Sequence, residues 1–191
     1  MKTEKADRRV RFTNRLLRES LITLLRAVPI SKISVKMLCE SADINRSTFY
    51  AHYTDPYDLL SRLEQEVMTE VYEYIDAQDA IESPEYATQM LNRVLEYTAK
   101  NSDLCTILLN ENSNSRFQED IMALAQRKII EDVRNARNLD PRISEYLQCF
   151  IVNGAIKIVE KWLLDGMVET PRQMAGLISN LLFQGISPYY G

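Results

Sequence analysis

SVKMLCESADINRSTFYAHYTDPYDLL, Ser34 to Leu60, holds two short helical patterns, a polar turn and the proline-marked start of a third helix. Ser34 is suited to cap the first helix, with Val35, Leu38 and Ala42 facing inward. The chain then turns at Asp43-Ile44. Asn45 is suited to cap a second helix running from Arg46 to about His52. Phe49 and Tyr53 stand four residues apart and anchor that helix to a core. Arg46, Ser47 and Tyr50 form a neighbouring stripe with no apolar purpose. Two short helices joined by a tight turn, the second opening on polar residues, make a helix-turn-helix. In that motif the first residues of the second helix meet base edges in the major groove. The free N–H groups and positive dipole end of a helix N-terminus also suit phosphates.

Outward from this stretch the chain reads as helix throughout. Four prolines follow a capping residue and lead into a helical pattern: Asp55-Pro56, Ser83-Pro84, Asp140-Pro141 and Thr170-Pro171. Proline at the first helical position loses no needed donor, so helices are expected to begin near 56, 84, 141 and 171. Thr170 with Gln173 fits a capping box, and Asp55 with Asp58 is a weaker version. Leu16, Leu17, Leu21, Leu24 and Leu25 give an apolar face to a first helix, roughly 8–28. Helical spacing also runs through Leu59, Leu63 and Val67, through Met90, Val94 and Leu95, and from Ile121 to Val133. With no alternating strand pattern, the expected fold is all-α with about nine helices. A three-helix head, residues 1–55, would precede a helical bundle, residues 56–191.

The segment 141–165 is apolar on two sides. One stripe is Leu147, Ile151, Gly154, Ile158 and Trp162, and the other is Val152, Ile156, Val159 and Leu163. A surface helix needs one such stripe. The next helix, 171–185, is also rich in apolar residues, with small Gly176 and Gly185. Two adjacent, over-apolar helices fit a homodimer interface built from four helices.

Composition narrows the functional classes. The net charge of −4 argues against indiscriminate coating of nucleic acid. Its distribution is uneven: residues 1–62 sum to +5 and residues 63–191 to −9. A basic head suggests an end that meets an anion. Cys39, Cys105 and Cys149 are widely spaced and form no metal-type or redox pair, as expected of reduced cysteines in the cytoplasm. No apolar run approaches the roughly 20 residues needed to span a bilayer. One histidine and no clustered nucleophile, base or metal site argue against an enzyme, and no cofactor or metal is expected.

The opening stretch resembles the DNA-binding motif of the tetracycline-repressor (TetR) family of regulators. The likeness rests on the apolar-turn-polar layout, on Thr48-Phe49-Tyr50, on the aromatic end of the second helix, and on Asp58-Leu59-Leu60. It covers about residues 8–62. FIVNGAIKIVEKWLLDG, Phe150 to Gly166, is similar to the C-terminal domain of one branch, which includes an activator of dihydroxyacetone-kinase genes. The resemblance implies that Arg46 and Ser47 face the groove, and that Lys36 contacts a base or phosphate. Arginine reads guanine well because its planar fork meets O6 and N7 together. Thr48, Tyr50 and His52 would hydrogen-bond phosphates, which fixes position rather than sequence. Ser34 and Asn45, at the two helix N-termini, complete the candidate DNA-binding set. Arg8, Arg9, Arg11 and Arg15 would lie near the backbone and add salt-dependent affinity.

Two positions depart from the family pattern. Asp43 stands where the turn usually has glycine, and Pro56 where the following helix often has a phosphate-contacting lysine. Asp tolerates positive φ better than most residues, so the turn is expected to survive with some strain. Weaker non-specific affinity is expected, without loss of binding. The reading is a cytoplasmic homodimer on an approximately palindromic double-stranded DNA operator, acting as a repressor released by a small-molecule effector. A co-activator of the same fold, working through a protein partner, is the alternative.

Overall fold

The structure is a computed structural model, and it describes residues 2–76, 84–109, 116–125 and 140–185. These residues form α1 (Lys2–Leu25), α2 (Val35–Ala42), α3 (Arg46–Tyr50), α4 (Pro56–Asp76), α5 (Pro84–Lys100) and α6 (Ser102–Leu109). They continue with α7 (117–125), α8 (Pro141–Leu164) and α9 (Pro171–Gln184). A short 3-10 turn, Ile30–Lys32, links α1 to α2. There is no strand among the described residues, and the all-α expectation holds. The first helix starts earlier and ends earlier than its apolar face suggested. Ser83, and the expected helical positions Ile129, Ile130 and Val133, lie outside the described residues.

The proline-marked starts fall where capping chemistry put them. Asp55 Oδ1 accepts the Asp58 N–H at 2.9 Å, and Asp58 Oδ2 accepts the Thr54 N–H at 2.9 Å. The return bond therefore lands one residue before the cap position of α4. Asp140 accepts the Arg142 N–H at 2.8 Å at the start of α8. At α9 the capping box is complete: Thr170 Oγ1 accepts the Gln173 N–H, and Gln173 Oε1 accepts the Thr170 N–H at 2.8 Å.

The described residues divide into two compact units, one from the N-terminus to Val67 with residues 107–109, the other from Met68 to Thr106 with the residues from Arg116 on. In the first, Leu17, Leu21, Ile30, Leu38, Phe49 and Leu59 are fully buried. Each such side chain contributes roughly 1.5–3 kcal/mol relative to exposure. Arg18 donates to Glu66 at 2.9 Å and ties α1 to α4.

In the second unit α5 packs along α9, which buries Met174, Ala175, Ile178 and Ser179 on one side. Thr88 Oγ1 donates to Ser179 Oγ at 2.6 Å across that contact. The turn from α8 into α9 is fixed by Trp162, whose indole N–H donates to the Glu169 carbonyl at 2.9 Å. Gly166 and Met167 take positive φ there, at 82° and 56°.

Candidate nucleic-acid interface

The helix-turn-helix is assembled from its turn. Asp43 sits in the left-handed region, φ 51° and ψ 49°. Its N–H and that of Ile44 both reach the Cys39 carbonyl, closing the end of α2 in a Schellman-like pattern. An L-residue in this conformation carries strain, less for Asp than for most. Asp43→Gly is therefore expected to stabilise the protein by about 1 kcal/mol. Urea unfolding checks this, and an unchanged or lowered midpoint would show the turn to be unstrained.

Ser34 caps α2 as expected, its Oγ accepting the Met37 N–H at 3.2 Å. Asn45 holds the cap position of α3 but makes no side-chain capping bond. The Thr48 N–H that it would accept is already bonded to the Asn45 backbone carbonyl at 3.0 Å. The Asn45 side chain is exposed and turned to no partner within the helix.

Helix α3 is only five residues long, so tertiary contacts must hold it. Phe49 is 0% exposed and packs edge-on to Tyr50 at 5.6 Å and against Tyr53 at 5.8 Å. The neighbouring, outward side carries the expected reading stripe: Arg46, Ser47 and Tyr50 are all exposed, Tyr50 to 60%. Thr48 and His52 lie at its margins and are half-buried. Lys36, on α2, is exposed and forms an ion pair with Glu40 at 3.7 Å, which mutes part of its charge. The eight candidate residues thus share one compact unit, six of them exposed.

Arg62 belongs to this unit as well, and sequence reading passed over it. Its guanidinium lies 5.0 Å from the Tyr53 ring centroid and its Nε donates to Asp58 at 3.1 Å. The Asp58-to-Arg62 spacing of four on a helix was the available signal. Asp58's carboxyl is held below the usual carboxylate range, first by the Thr54 N–H and then by Arg62. Its cap is thus fully formed at neutral pH and lost only in acid. Burial pushes the Cys39 thiol up, partly offset by nearby Arg46, so this cysteine stays a protonated core residue.

In the second unit α8 presents an apolar side to the outside. Ile143, Tyr146, Leu147 and Phe150 are exposed, Phe150 to 78%, while Val152, Trp162 and Leu163 are buried. Asn153 is exposed, and its amide donates to the Cys149 carbonyl one turn back at 2.7 Å, so the polar residue in this apolar helix answers to its own backbone. Among the described residues no group of His, Cys, Asp or Glu could hold a metal ion. No described helix is long and apolar enough to cross a membrane.

Among the described residues the chain is all-helical, with a helix-turn-helix followed in sequence by a second helical unit, an arrangement that defines a class of transcriptional regulators. A family model described as "Transcriptional regulator C-terminal region", of the TetR family, matches residues 85–184. The chain belongs to the TetR family of transcriptional regulators. Its fold is similar to that of the fatty acid degradation regulator FadR from Bacillus halodurans, with a TM-score of 0.69 and 16% identity over 91% of this chain and 96% of that one. It is also similar to a TetR transcriptional regulator from Streptococcus agalactiae, with a TM-score of 0.67 and 19% identity over 94% and 98%. The dihydroxyacetone kinase operon activator DhaS matches with a TM-score of 0.56 and 18% identity over 92% and 97%. No curated protein sequence matches the chain.

Proposed function

We propose that this protein is a homodimeric, sequence-specific DNA-binding repressor, acting in the cytoplasm and released from its operator by a small-molecule effector. It is a regulator and not an enzyme. Residues 1–55 form the reading head, and residues 56–191 the body that dimerises and takes the effector. The observation that carries this reading is the division of α3: Arg46, Ser47 and Tyr50 outward, Phe49 fully buried beneath them. A five-residue helix held this way presents polar side chains in a fixed register, which groove reading requires. Arg46 and Ser47 read base edges. Thr48, Tyr50 and His52 position the head on phosphates, Lys36 contacts a base or a phosphate, and Ser34 and Asn45 stand at the helix N-termini. The exposed apolar side of α8, with α9, supplies the contact to a second copy. Two-fold symmetry then calls for an approximately palindromic operator. An effector acts by favouring the subunit arrangement that misplaces the two heads.

A salt titration of the purified protein against duplexes selected from a random pool tests the reading. Affinity should fall steeply with salt, since phosphate contacts release counterions. Tyr50→Phe should weaken every sequence about equally, by roughly fivefold for one lost hydrogen bond. The likeness to DhaS, an operon activator by name, favours a co-activator working through a protein partner as the second reading. Absence of any salt-dependent DNA affinity would select it.

A further inference from the structure

Helix α1 carries an exposed aromatic residue on a basic face. Arg8, Arg11, Phe12 and Arg15 are exposed and spaced three or four apart, so they share one side of the helix. Phe12 is 52% exposed, so core packing accounts for only part of its surface. The Arg15 guanidinium lies 5.3 Å from the centre of the Phe12 ring. Helical side chains lean towards the N-terminus, and here the lean brings Arg15 over the ring, towards Arg11 and Arg8. Arg15 Nε is also 3.7 Å from Glu19 Oε1, one turn towards the C-terminus, so the guanidinium meets the ring and the carboxylate at once. The Arg15 side chain remains 64% exposed between the two.

We infer that Phe12 is a positioning residue for DNA binding, holding the Arg15 guanidinium in line with Arg8 and Arg11 so that the strip tracks the phosphates beside the half-site. This rests on the DNA-binding reading above. Without the ring the arginine is left to the Glu19 carboxylate alone, which offsets part of its charge. The ring biases it towards the basic strip, and the aromatic face does so without adding a charge of its own. Glu19 is then a restraint on affinity, and its removal should strengthen binding.

The test is a double-mutant cycle on the full chain, read as affinity for a random-sequence duplex across a salt series. Arg15→Gln should weaken binding about threefold at moderate salt and lower the salt slope by about one. Phe12→Ala should weaken binding by a similar factor, and the double variant should be no weaker than Arg15→Gln alone. Phe12→Tyr should restore wild-type affinity, and Glu19→Gln should raise it. All three positions changed lie at the surface, and circular dichroism verifies that the helix content is kept. Additive losses, or wild-type affinity in Phe12→Ala, would overturn the positioning role while leaving the DNA-binding reading intact. Absence of salt-dependent duplex binding by the wild-type protein would overturn both.

Discussion

Phe49→Ala is expected to destabilise the N-terminal unit by about 3–5 kcal/mol and to release α3 from its core. The ring is completely buried, and truncating such a residue costs about 3–5 kcal/mol through lost transfer energy and the cavity left behind. A domain of this kind has only about 5–15 kcal/mol in hand. The loss falls on an element with no independent means of support, because five residues are far too few for a stable isolated helix. Tyr50 and Tyr53 lose their packing partner in the same step. Urea unfolding followed by circular dichroism should show the loss, together with disappearance of DNA affinity. A variant that melts within 1 kcal/mol of wild type would mean that α3 is held by contacts other than Phe49.

Arg46→Ala is expected to act in the opposite way, leaving stability almost unchanged and altering selectivity. Arg46 is exposed and opens α3, so truncation removes no core contact. One bidentate arginine-to-guanine contact contributes roughly 1–3 kcal/mol of discrimination, or about 5–150-fold at that base pair. Duplexes selected with the wild-type protein, then altered one base pair at a time, provide the measure. The variant should lose preference at one position in each half-site and keep its preference elsewhere. An unchanged preference at every position would remove Arg46 from the reading face.

Much of this architecture was legible locally. The Asp-Pro and Thr-Pro pairs marked the starts of α4, α8 and α9 because capping is a matter of neighbouring residues. Phe49 and Tyr53 were readable as the anchored side of α3 because burial follows helical periodicity. Asp43 was readable as the strained turn, and φ there is positive. What escaped was what local pattern cannot specify. Asn45 has capping chemistry, but the Thr48 N–H turned to a carbonyl instead. The Arg18–Glu66 and Thr88–Ser179 pairs join residues 48 and 91 positions apart, and nothing in either neighbourhood signals the other. On α8 the apolar stripes were recognised, but the large exposed apolar residues are Ile143, Tyr146, Leu147, Phe150 and Leu164, of which only Leu147 was in either stripe. A helix apolar on two sides does not say which side its own chain will cover.

The indole of Trp162 has one more use. The chain has a single tryptophan, and it is 2% exposed and hydrogen-bonded within the α8–α9 turn. Excited at the red edge of aromatic absorption, where tyrosine is dark, the protein carries one fluorophore, and that fluorophore sits in the second unit. Its emission is therefore a built-in gauge of the body alone. A change confined to the head leaves the colour of the emission unmoved, while an event that opens the α8–α9 turn shifts it to the red. Followed together with far-ultraviolet ellipticity, a single unlabelled sample separates the melting of one unit from that of the other.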